Sequence, residues 1–172
     1  MATIIKVMFD DHSRIRRLFD RAKRMPNDLD TAIAICQELD IHTTIEEEIV
    51  YPALEDLAPD MAHGAEADHE KASGLVDAIY KIERFDPGLR PLVEQLERIV
   101  SRHVEWEERE MFPLIKTELR HEIDEMGRVA FARRQEELSG IGSPRRLSNA
   151  EVVPNSGWGN SGWGGSVAGA GW

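Results

Sequence analysis

The chain has 172 residues, 41% of them hydrophobic and 31% charged, which is enough for one buried core and too few to expect two. Its formal net charge of -11 repels phosphate backbones, so nucleic acid is not an expected partner, whereas cations are. Cys36 is the only cysteine, so an intrachain disulfide and a thiolate zinc cluster are excluded; with no apolar run long enough for a signal core or a membrane span, a soluble cytoplasmic protein with no membrane partner is predicted.

Residues 1–138 hold only four of the 13 glycines and carry apolar residues every three or four positions, the period of a helix. Pro26, Pro59 and Pro87, each beside Asp or Asn, interrupt that pattern. Helices are therefore predicted over 3–24, 29–57, 61–84 and 89–119, with a shorter one over 122–138. Short connections between long helices make neighbours antiparallel. The expected fold is all-α: an up-down-up-down four-helix bundle with a short C-terminal helix. From residue 139 the composition changes to Gly, Ser and Trp without helical period, holding nine glycines and three of the four tryptophans. Residues 139–172 are expected to be a flexible tail outside the 1–138 domain, with docking of a protein partner as its one conceivable role.

Within the domain the sequence repeats. The second and fourth helices share His-x3-Glu-Glu-x3-aromatic-Pro, as His42 to Pro52 and His103 to Pro113. The first and third share Asp-His, as Asp11-His12 and Asp68-His69, each followed at matching offsets by Leu18 and Asp20 or Leu75 and Asp77. The bundle thus reads as two copies of one helical hairpin.

At about 100° per residue, Glu46 lies about 40° around the helix from His42 and one turn along it, so both reach the same point; Glu107 and His103 do likewise. The faces they share are otherwise apolar, with Ile5, Met8, Ile15 and Phe19 around His12, Ile35, Leu39 and Ile49 around His42, and Leu96 and Ile99 before His103. Four imidazoles and two carboxylates facing inward cost several kcal/mol unless compensated, and a pair of metal ions supplies the compensation. Two His per ion, two bridging carboxylates and an oxo or hydroxo bridge leave one octahedral position open on each. Iron suits this mixed N/O set, with manganese as its competitor, because zinc prefers four ligands and magnesium and calcium avoid imidazole.

The pattern His12, His42-x3-Glu46, His69, His103-x3-Glu107 resembles the hemerythrin-like HHE cation-binding domain family over about residues 1–120. That resemblance implies a non-haem di-iron protein in which His12 and His42 hold one iron, His69 and His103 the other, and Glu46 and Glu107 bridge them. Oxygen-carrying hemerythrin has a further histidine where this chain has Ser73, and places its last carboxylate where this chain has Glu108. The four-His, two-Glu set is similar to bacterial di-iron proteins that handle peroxide or nitric oxide, among them the mycobacterial hemerythrin-like proteins. It differs from iron-sulfur cluster repair proteins, which usually add paired cysteines. The implied function is binding or reaction with a small oxidant, peroxide first in a catalase-like reaction, then O2 or NO. The alternative is an iron, oxygen or NO sensor that signals through its C-terminal region.

Other polar residues carry weaker signals. Glu47 and Glu108 are expected to be solvated or to lie behind the ligands, while Glu66 and Glu110 either orient an imidazole or are surface charges. His63 is read as exposed, and His121 lies about 27 Å from His103 along a straight helix, too far to share its site. Tyr51, nine residues from His42, falls on the opposite face, so a direct role at the metals is not expected. Cys36 reads as a small buried residue.

Overall fold

A computed structural model describes residues 2–141. Thr3 caps α1 (Ile4–Arg24) by accepting a hydrogen bond from the backbone N–H of Lys6. Helix α2 runs from Leu29–Ile45 through a π-helical turn, Glu46–Val50, into a last α-turn, Tyr51–Glu55. Helix α3 is Pro59–Lys81. Helix α4 repeats the plan of α2, with Leu89–Trp106, a π-turn at Glu107–Met111 and a final segment Phe112–Glu118. Helix α5, Ile123–Ile141, completes the described chain.

The boundaries differ from the sequence reading by a few residues, for physical reasons. Pro59 starts α3 two residues early because its fixed φ suits the first helical turn, where no N–H is needed. Helix α3 stops at Lys81 because Ile82 is extended, with ψ at 143°. The C-terminal helix is 19 residues long and reaches Ile141, into the segment expected to be tail; residues 142–172, which hold the rest of that expected tail, lie outside the described residues.

The two π-turns share one cause. Pro52 and Pro113 have no N–H and crowd the carbonyl four residues back, so the preceding turn widens. The N–H of Tyr51 accordingly reaches the carbonyl of Glu46, and that of Phe112 the carbonyl of Glu107, five residues back in each case.

Apolar packing orders the bundle. One cluster gathers Met8, Ile45, Leu54, Ala65, Met111 and Ile115; the other gathers Ile15, Phe19, Leu39, Val76, Leu96 and Val100. Along α1 and α3 the chain passes from the first cluster to the second, and along α2 and α4 it returns, which is the up-down-up-down course. In all four helices the inward histidine sits at the changeover, so a polar layer divides an apolar core. Helix α5 packs across α1 and α2 from outside, and its approach is so close at Gly127 that a Cβ there would lie 2.1 Å from the Ala2 carbonyl oxygen. No helix among the described residues is long and apolar enough to cross a membrane.

Candidate metal centre

The six residues singled out by spacing meet in the polar layer. His12, Glu46 and Glu107 are fully buried, and His42, His69 and His103 nearly so. Two groups of converging ligand atoms form, His12 with His42, Glu46 and Glu107, and His69 with His103 and Glu46. Glu46 Oε2 lies 3.3 Å from His42 Nε2 and 3.2 Å from His69 Nε2. Glu107 spans the groups with both oxygens, Oε2 3.1 Å from His12 Nε2 and Oε1 3.1 Å from His103 Nε2. Both carboxylates therefore stand between a histidine of one group and a histidine of the other.

These contacts are close without being aligned as hydrogen bonds. Three of the four carboxylate oxygens, Glu46 Oε1 and both of Glu107, accept none, and neither His12 Nε2 nor His42 Nε2 takes part in one. His69 Nε2 and His103 Nε2 face each other at 3.0 Å. Lone pairs directed at a common buried point with so few protons between them fit cations placed among them, since buried carboxylates left this way cost several kcal/mol.

The proton affinities follow. Burial lowers His42 to about 3, a pull that the charge of Glu46 only partly opposes, so its imidazole is neutral. Burial also pulls His12 and His69 down, but Glu107 at His12, and Glu46 with Glu47 at His69, more than offset it: His12 is raised and His69 is pushed up to about 9. Burial would raise Glu107, yet the charge of His103 and the close approach of His103 and His12 to its two oxygens hold it below the usual carboxylate range. Two buried carboxylates thus draw positive charge into this layer, as protons or as the cations that displace them.

Tyr51 corrects the sequence expectation. Its hydroxyl lies 3.0 Å from His69 Nε2 and donates to Glu46 Oε2 at 3.3 Å, inside the centre. Counting 3.6 residues per turn put it on the far face; the π-turn between His42 and Tyr51 absorbs an extra residue and swings it back by about 100°. Its signal was Pro52, which forces that turn. Phe112, the equivalent residue of the other hairpin, stacks on His12 with ring centroids 5.5 Å apart.

The outer contacts divide as unevenly. Glu108 Oε1 sits 2.8 Å from His12 Nδ1 and is held by Arg16 at 2.6 Å, while Glu47 Oε1 is 3.6 Å from His69 Nδ1. Glu66 and Glu110 are exposed, Glu110 accepting from Arg109, and so take the surface role. His63 and His121 are exposed as well, and Cys36 is buried. Asp11, whose part was not read from the sequence, is fully buried with Oδ2 3.9 Å from His42 Nδ1.

A void of about 20 Å³, enough for one small molecule, opens against His42, His69 and His103 between the apolar side chains of Leu39, Ala72, Val100 and Val104.

The model of the hemerythrin HHE cation binding domain matches residues 3–115. The chain belongs to this family. The hemerythrin HHE match ends before α5. A solved structure of a hemerythrin HHE cation binding domain-containing protein from Mycobacterium kansasii superposes with a TM-score of 0.72 at 24% identity, covering 86% of this chain and 94% of that one, a likeness of fold. No curated protein matches the chain. Membership of the hemerythrin HHE family implies cation binding, typically of iron, and the converging His and Glu side chains are where this chain could hold it.

Proposed function

We propose that the chain is a non-haem di-iron protein that binds or consumes a small oxidant, with hydrogen peroxide as its first substrate in a catalase-like reaction. His12 and His42 would hold the first metal and His69 and His103 the second, with Glu46 and Glu107 shared between the two positions. The observation that carries this reading is the pair of buried carboxylates, each standing between histidines of both groups. Two irons held there would supply the two-electron redox chemistry that O–O bond cleavage requires.

The protein's own groups supply access and a hydrogen-bond donor. The void borders both imidazoles of the second position and only His42 of the first, which favours the second as the place where the oxidant enters, and Ser73, lacking an imidazole, adds no ligand there. Its apolar walls admit a molecule the size of peroxide, O2 or NO and leave little room for bulk water. Burial and the charge of Glu46 push the Tyr51 phenol well above its ordinary range, so it keeps its proton and can donate a hydrogen bond to an oxidant oxygen beside His69. In the overall reaction one peroxide takes up two electrons and two protons to give two waters, and a second returns both as O2.

The test is iron-loaded protein mixed with peroxide in an oxygen electrode, with near-ultraviolet absorption followed in parallel. One O2 is expected per two peroxides. Protein that neither evolves O2 nor changes its spectrum removes the reading.

Sensing is a second reading, supported by the packing of α5, the helix that leads to residues 142–172, against the ligand-bearing α1. Deleting 142–172 should then abolish a cellular response to the oxidant while the metal spectrum stays intact.

A further inference from the structure

Behind His42 lies a chain of buried charge that ends on a helix contributing no ligand. Asp11 precedes His12, yet its carboxylate turns to the neighbouring imidazole, Oδ2 standing 3.9 Å from His42 Nδ1. Neither atom has a hydrogen-bond partner. The other oxygen, Oδ1, is paired with Arg14 and, at 3.1 Å, with Arg134 Nη1 of α5. Arg134 is itself buried, an uncommon place for a guanidinium, and its Nη2 donates to Glu38 of α2 at 2.6 Å. Three helices thus meet on one carboxylate.

An imidazole that offers Nε2 to a cation must carry its proton on Nδ1, and an anion facing that N–H fixes the tautomer, turns the ring and raises its basicity. At 3.9 Å Asp11 acts through its charge, which the dry surroundings screen weakly. The repeat makes the contrast visible. Asp68 stands before His69 as Asp11 stands before His12, but it is partly exposed and pairs with Lys71 at 2.7 Å. Among the described residues no carboxylate pairs with His103 Nδ1, the counterpart of His42 Nδ1; His103 meets Glu107 through Nε2 only.

We infer that Asp11, clamped by Arg134 of α5, is a positioning residue for His42 that makes the first metal position the tighter of the two. The inference rests on the di-metal reading above and extends it to a helix beyond the family match, which ends at residue 115.

The test is titration of the metal-free full chain with cobalt(II), read by visible absorption, for the wild type, Asp11→Asn and Arg134→Gln. Wild type should show two steps. Asp11→Asn should weaken the tighter step about tenfold to hundredfold and leave the weaker one unchanged; Arg134→Gln, with Arg14 still on Asp11, should weaken the same step by less. In Asp11→Asn the buried Arg134 keeps Glu38 as a partner, so the fold is retained, as a thermal melt of the metal-free variant would verify. Variants that melt lower with both steps intact, or that lose both steps equally, overturn the inference and make Asp11 a structural tie only. Wild type that takes up no cobalt overturns the di-metal reading itself, which is a different result from two steps unmoved by either variant.

Discussion

The two hairpins of the bundle began as one pattern and have become unlike. Around His12 and His42 the imidazoles are backed by packing and charge: Phe112 stacks on His12, Glu108 and Asp11 stand behind the two rings, and α5 presses on the outside through Arg134. Around His69 and His103 the Tyr51 hydroxyl stands against His69, and a small void borders both rings and reaches His42 as well. The same position in the repeat supplies Phe on one side and Tyr on the other, an apolar lid and a hydrogen-bond donor. A near-symmetric site therefore needs no change of ligand type to separate its duties, since one half can hold and the other react once their surroundings differ.

The largest effect should come from what the halves share. Glu46 belongs to both groups of ligand atoms, so Glu46→Ala should break the comparison altogether, lowering bound metal from two ions per chain to one or none by elemental analysis after equal loading. The affinity lost should exceed the roughly hundredfold that removal of an outer partner causes. Retention of two ions would show that Glu107 suffices as a bridge.

A smaller effect should fall on one half only. At Gly127 an added Cβ would meet the Ala2 carbonyl oxygen at 2.1 Å, the Thr3 carbonyl carbon at 2.5 Å and the Ile4 nitrogen at 2.7 Å, all backbone atoms that cannot swing aside. Gly127→Ala should push α5 off α1, cost about 1–3 kcal/mol of stability in denaturant unfolding, and loosen Arg134 with it. Cobalt binding should then weaken at the first step and not at the second. Equal loss at both steps would mean that α5 supports the bundle without favouring either half.

The repeat made the six converging side chains legible because an offset of four between His and Glu survives whatever follows it. The four core helices were legible from Pro and apolar period for the same reason, that each signal is local. Tyr51 was not, because phase counted across nine residues fails when Pro52 converts the intervening turn to a π-turn. The repeated Asp of Asp11-His12 and Asp68-His69 was visible as a pattern, but only packing shows that one is buried behind His42 and the other paired with Lys71. Nothing local could mark Arg134 as buried. Its partners lie 96 and 123 residues away in the chain, in Glu38 and Asp11, and long-range pairing of this kind leaves no periodic trace.

The smallest effect tests the loops that join each pair. Phe85, between α3 and α4, has a φ of 74°, the one positive φ outside glycine among the described residues, and is 84% exposed. The corresponding connection of the first hairpin, at 25–28, carries no such residue. A phenylalanine in the left-handed region costs roughly 1–2 kcal/mol through its Cβ, and this one recovers little by packing because its ring lies in water. Asn tolerates that conformation, as its short side chain can hydrogen-bond locally. Phe85→Asn should therefore stabilise the chain by about 0.5–1 kcal/mol, seen as a higher denaturant midpoint at an unchanged slope, and leave both cobalt steps where they are. An unchanged midpoint would mean that residue 85 leaves the left-handed region in solution, and that the second hairpin, like the first, turns without strain.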